Sequence, residues 1–202
     1  EYGGRPAERR ALLARARQYV GLEGSPDATA LAPEDLSTAM IIGIEDGGAD
    51  FYEAAKAYVT TATNQNERST ILRVLASRGS KDVVSDLFSA VLNGPNSTDE
   101  VFTVVYGAMA NPAAQDTAWD LITTNFETVV ERMPEIRQPK LAGLTGYFCS
   151  VRKAADAEDF FQQNAQLIPG YERSLAQGTE KATLCSALRA QKALDVNNFF
   201  QQ

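Results

Sequence analysis

Residues 64–95 read NQNERSTILRVLASRGSKDVVSDLFSAVLNGP, and they hold two helices with the signals that start and stop them. Asn64 followed by Glu67 is a capping-box pattern, in which the first side chain accepts from an orphan backbone N–H and the second reaches back. Arg78-Gly79 ends that segment, and Ser80 supplies the next capping oxygen. Val84, Leu87, Phe88 and Val91 then recur at i, i+3, i+4 and i+7, one face of an α-helix, until Asn93-Gly94-Pro95 stops it.

The same punctuation extends outward. Pro33 with Glu34 and Asp35 opens one helix and Asp50 the next. Thr98 and Asp99 start another, and Pro112 begins one that stops before Pro134. Along that last segment Trp119, Ile122, Phe126, Val129 and Met133 form a continuing stripe, which makes Trp119 a core anchor. Starts fall about 15 to 18 residues apart, so a two-helix unit recurs roughly every 32 residues. Short connections make neighbours antiparallel. The expected fold is all-α, an α-α superhelix of HEAT-like or armadillo-like helix pairs with about ten helices. A single domain over 1–202 is expected: a leading helix at about 6–20 and the loop GLEGSPDATALA within 1–32, the helix-hairpin array over 33–133, and closing helices within 134–202 at about 136–149, 154–168 and 171–194.

Composition narrows function. The chain has 202 residues and 44% hydrophobic content, ordinary for a globular protein. Its apolar runs fall far short of the roughly 20 residues that span a bilayer. Nineteen Lys and Arg against 26 Asp and Glu leave a net charge of -7, so nucleic acid is not an expected partner. The cluster Arg5, Arg9, Arg10, Arg15 and Arg17 lacks interleaved aromatics and reads as a solvated helix face. There is no histidine, the commonest zinc ligand and general base, and the acidic residues form no tight constellation. Neither a catalytic nor a metal site is expected within the chain.

YGAMANP (106–112) differs by one residue from GAMEN, the substrate-amine motif of large zinc aminopeptidases, with Ala110 in place of the glutamate. We read it as packing joined to a turn. Gly107, Ala108 and Ala110 are small enough to admit a neighbouring helix. Asn111 precedes a proline, which disfavours α geometry; its side chain can cap the next helix, and Pro112 suits a first helical position.

A broader resemblance runs from about 33 to 195. ANPAAQDTAWDLITTNFETVVERMP (110–134) is similar to the stretch A-N-P-x-G-x-x-x-A-W-x-F-x-x-x-N-W of the C-terminal helical domain of aminopeptidase N-type zinc metallopeptidases, through Ala110, Asn111, Pro112, Ala118, Trp119 and Asn125. NERSTILRVLASRGSKDVVSDLFSAVLN (66–93) resembles that family's E-R-x-x-x-L-x-x-L-A pattern through Glu67, Arg68, Leu72, Leu75 and Ala76, and AEDFFQQNAQLIPGYERSLAQGTEKATLCSALR (157–189) resembles its final helices. Phe126 replaces the second tryptophan, Ala114 and Gln115 stand where glycine and arginine are common, and NGPNSTDE (93–100) replaces the usual R-x-Q-D.

The resemblance implies a non-catalytic domain that caps the catalytic domain of the same polypeptide and encloses a chamber for the peptide substrate. Zinc, HExxH and a true GAMEN would then lie upstream of Glu1. In the last third Arg152, Lys153, Lys181 and Arg189 can pair with a peptide carboxylate or stand as exposed surface charges. Tyr106 and Tyr147 can line the chamber or serve as half-buried core residues. Cys149 and Cys185 can form a disulfide, if the last helix folds back on 136–149, or remain two buried thiols; a bond would suit a periplasmic or secreted parent. Asn96-Ser97-Thr98 fits a glycosylation sequon and also a loop with a helix cap. The rival reading is a free-standing α-solenoid scaffold that binds another protein in its groove.

Overall fold

A computed structural model describes residues 6–200, with side chains described through residue 193. Every regular element among the described residues is helical, as the periodicity predicts. The chain divides into two compact units, residues 1–125 and 126–202.

The first unit contains α1 (Pro6–Tyr19), α2 (Leu36–Asp46), α3 (Gly48–Thr61), α4 (Gln65–Arg78), α5 (Lys81–Asn93), α6 (Thr98–Met109) and α7 (Gln115–Thr124). Helices α1, α2, α4 and α6 pack in succession, while α5 meets α7 on a second row. This is the alternation expected of stacked helix pairs. The stripe read from the sequence is the buried face of α5, with Val84, Leu87, Phe88 and Val91 all at or below 2% exposure.

Caps place most starts within a few residues of their expected positions, with informative differences. The Asn64 side chain accepts from the N–H groups of Asn66 and Glu67, but Glu67 returns its carboxylate to the Asn64 side-chain amide rather than to its backbone. The reciprocal box belongs to Ser97 and Glu100 at the start of α6. A turn over 33–35 precedes α2, and α3 begins two residues before Asp50. Pro112 does not open a helix. The Asn111 side chain accepts from Ala113 N–H at 3.1 Å, which forms a local turn, and α7 starts at Gln115. Nor does one helix run from there to Met133. Asn125 takes φ -113° and ψ 26°, outside helical values, and the chain resumes as a separate short helix. Trp119, expected to be a core anchor, is half-buried.

Polar links tie one pair of helices to the next. Arg9 donates to Asp46 at 2.5 Å and Glu45 at 3.0 Å; Gln65 donates to Ser97 at 3.1 Å; Arg68 donates to Glu100 at 2.5 Å. Tyr52 and Lys56 both donate to Asp86. Buried Asn111 donates to the carbonyls of Ala76 at 3.1 Å and Gly79 at 2.8 Å, satisfying the end of α4 from α6's own terminus. Separations along the chain run from 30 to 37 residues, about one repeat. Gly107 sits where α6 crosses α4: a Cβ there would lie 2.9 Å from the Cβ of Ala76, so the small residue admits the neighbour as expected.

The second unit contains α8 (Phe126–Glu131), a 3-10 segment (Glu135–Tyr147), α9 (Val151–Gln163), a short 3-10 turn (Ala165–Leu167) and α10 (Glu172–Phe200). The 3-10 segment replaces the α-helix expected at 136–149. Pro139 inside it removes a backbone donor and clashes with the preceding turn, and Gly143 and Gly146 weaken helical preference. Helix α10 packs on this segment and on α9. At the crossing a Cβ on Gly178 would meet Gly146 N at 3.1 Å, and one on Gly146 would meet the Gly178 Cα at 3.2 Å. Phe126, Phe160 and Phe161 form an edge-to-face cluster, with Phe126 5.0 Å from Phe160 and 5.9 Å from Phe161.

Candidate functional site

Helix α10 changes character along its length. Its early residues Leu175, Gly178 and Ala182 recur at helical spacing and are buried against the unit. Beyond Ala182 the described side chains are exposed or half-exposed, including Leu184 at 58% and Leu188 at 70%. An open groove of about 850 Å³ runs beside this part, lined by Gln177, Glu180, Lys181, Leu184, Cys185, Leu188, Arg189 and Lys192 with Cys149 facing them. A second concavity is continuous with it through Gln177 and Lys181 and is bordered by Lys140 and Arg173.

Cys149 and Cys185 are bonded, with sulfurs 2.08 Å apart and Cα atoms 5.1 Å apart. Of the two alternatives left open by the sequence, the cystine is therefore the one formed. It pins α10 to the end of the 3-10 segment at the groove's margin. Lys181 places its Nζ 4.9 Å from the centroid of the Tyr147 ring, a cation–π arrangement. Burial pushes the Tyr147 hydroxyl above its ordinary value, so it stays protonated and a donor.

The four residues singled out from the sequence do not share one place. Arg189 lines the α10 groove, and Tyr147 lies under Lys181, which lines it too. Arg152 is exposed in the first turn of α9 and is not part of that lining. Tyr106 lies in the other unit, half-buried on α6 and stacked on Phe102 at 4.1 Å. Leu184, Leu188 and Lys192 were not singled out. Their signal was an absence: residues 181–193 carry three cations and no carboxylate in a chain of net charge -7.

Three of the amino-terminal arginines are in ion pairs: Arg9 with Asp46 and Glu45, Arg15 with Asp35, and Arg17 with Glu23; Arg10 is exposed, and Arg5 lies outside the described residues. The most buried charged pair is also structural. Burial alone would raise the Glu100 carboxyl, but hydrogen bonds from Arg68 and from the Ser97 N–H outweigh it and hold the group below its ordinary value. Ser97 of the sequon serves as the cap, and Asn96 donates to Glu100 at 3.4 Å.

The donor set does not fit zinc. The chain has no histidine, both cysteines are spent in the disulfide, and no group of three or more His, Cys, Asp or Glu converges among the described residues. No helix among the described residues is long and apolar enough to cross a membrane.

Comparison with known proteins agrees with this architecture. The chain is similar to Aminopeptidase M1-D of Oryza sativa subsp. japonica, 22% identical over 135 residues, which cover 66% of this chain. The matched stretch is 15% of that protein's length. The family described as ERAP1-like C-terminal domain matches residues 3–184, nearly the whole helical array, and on that match the chain belongs to the ERAP1-like C-terminal domain family.

Proposed function

We propose that this chain is the non-catalytic C-terminal domain of a zinc aminopeptidase, capping the catalytic domain of the same polypeptide and enclosing the chamber in which peptides bind. The observation that carries the reading is the family match over residues 3–184 in a chain without a single histidine. A helical stack of this kind contributes no reacting group. It shields the reaction from water and admits short or unfolded chains in preference to folded ones. In the second unit we assign Tyr147, Arg152 and Arg189 to contacts with the peptide, the arginines through charge-assisted bonds to carboxylates, and in the first unit, as a separate contact, Tyr106. Zinc belongs to the catalytic domain, and the cystine suits a secreted or periplasmic parent.

The test is turnover of alanine p-nitroanilide and of a peptide series. The isolated chain with added zinc is expected to cleave nothing. The polypeptide that carries both parts should cleave, and replacing Arg189 in it with alanine should raise KM for long peptides while sparing the anilide. Turnover by the isolated chain would overturn the proposal, as would a natural polypeptide that lacks a peptidase domain; the latter outcome would favour a free-standing scaffold.

A further inference from the structure

We infer that the exposed face of the second half of α10 is a docking surface for an acidic amphipathic helix of a partner polypeptide, a role that takes Arg189 in place of the peptide contact proposed above. The face is regular: Lys181, Leu184, Cys185, Leu188, Arg189 and Lys192 line the groove at offsets i, i+3, i+4, i+7, i+8 and i+11. That spacing is one continuous stripe of a helix, the pattern by which a second helix is received along its length. Among the described side chains the core-facing stripe of α10 ends at Ala182, and the groove stripe continues beyond it.

Chemistry selects the occupant. Two large apolar side chains, Leu184 and Leu188, stand 58% and 70% exposed one turn apart, with Glu180 and Lys181 before them and two cations after, so that cations outnumber carboxylates along the groove. Among the described residues Arg189 and Lys192 make no ion pair. The protein as a whole is acidic, at net charge -7, so the excess of cations along this groove is a local exception. A helix with leucine-like residues on one side, flanked by Asp or Glu, satisfies both the apolar centre and the basic rim. An anionic lipid surface is a poorer match. The cations line a concave groove with a cystine at its margin, a shape that suits a rod rather than a plane.

The experiment measures fluorescence anisotropy of a labelled helical peptide with Leu at i, i+3, i+4 and i+7 and Glu at the flanking positions, titrated with the 202-residue chain. Its counterpart carries Lys for every Glu. The acidic peptide is expected to bind about tenfold or more tightly than the basic one, and to weaken as salt is raised. Arg189→Glu with Lys192→Glu should invert that preference, and recovery of the basic peptide by this variant would show that it is folded. Leu188→Asp should abolish binding of both peptides, whereas Ile136→Asp, at an exposed apolar residue outside the groove, should leave it unchanged. Equal affinity for the two peptides, no saturable binding, or indifference to the double reversal would overturn the inference. So would Leu188-dependent binding to phosphatidylserine vesicles that the acidic peptide fails to compete.

Discussion

The two units solve the same problem, fixing one helix against the next, by different means. Residues 1–125 repeat a helix pair and join successive pairs through Arg9, Tyr52, Lys56, Arg68 and Asn111, each bridging 30 to 37 residues. Residues 126–202 set α10 on a 3-10 segment through a two-glycine crossing and a disulfide. A repeat can reuse one kind of clamp at each step. A unit that occurs once relies on close approach at particular positions and on a covalent tie.

The contrast is broken most severely at Glu100, whose side chain is 2% exposed against Arg68. Glu100→Ala leaves the guanidinium without its partner in a largely buried place and opens the cap of α6. The expected loss is about 3–5 kcal/mol, read by urea unfolding, with hydrogen exchange rising in 36–124 before 135–193. Next comes the cystine. Replacing Cys149 and Cys185 with alanine releases a loop spanning 36 residues, and the chain-entropy account gives roughly 3–4 kcal/mol. The exchange pattern should reverse, with 135–193 opening first. Asn111→Ala strips two helix-end carbonyls of their donor and should cost about 2 kcal/mol, measured as a shift in the urea midpoint confined to the first unit.

The smallest effect is acid sensitivity. The folded Glu100 carboxyl lies below its ordinary 4.5, so at lower pH the unfolded chain takes up the proton first. Its contribution is present above 4.5 and is lost as pH falls through the folded value. Asp86, held down by hydrogen bonds from Lys56 and Tyr52, behaves with the same sign. Glu100→Gln should therefore flatten the acid limb of an unfolding profile below 4.5. An unchanged limb would show that the pair does not set it.

Periodicity made the first unit legible. Apolar spacing and caps located α4, α5 and α6 to within a residue because local rules govern helix starts. The clamps were not legible: Arg68 and Asn111 read as a motif residue and a junction, since no local rule announces a partner 32 or 35 residues away. The break at Asn125 was missed for a related reason. Trp119, Ile122, Phe126 and Val129 keep helical spacing across it, and a capped Asn without a following glycine or proline is a weak stop. In the second unit the helix expected at 136–149 contains Pro139, Gly143 and Gly146, the residues that turn it into a 3-10 segment. The candidate contacts followed a similar course. Arg189 reads from the sequence as a carboxylate partner or a surface charge and Cys185 as half of a disulfide or a buried thiol; the stripe that unites them with Leu184, Leu188 and Lys192 needs the end of the described core face at Ala182 to become visible.

The measurement that bears most directly on the assignment as a non-catalytic domain is the coding sequence upstream of the codon for Glu1. The account predicts an open frame continuing through HExxH, a downstream glutamate and an intact GAMEN before the helical domain begins. An initiator codon immediately ahead of residue 1 would contradict it.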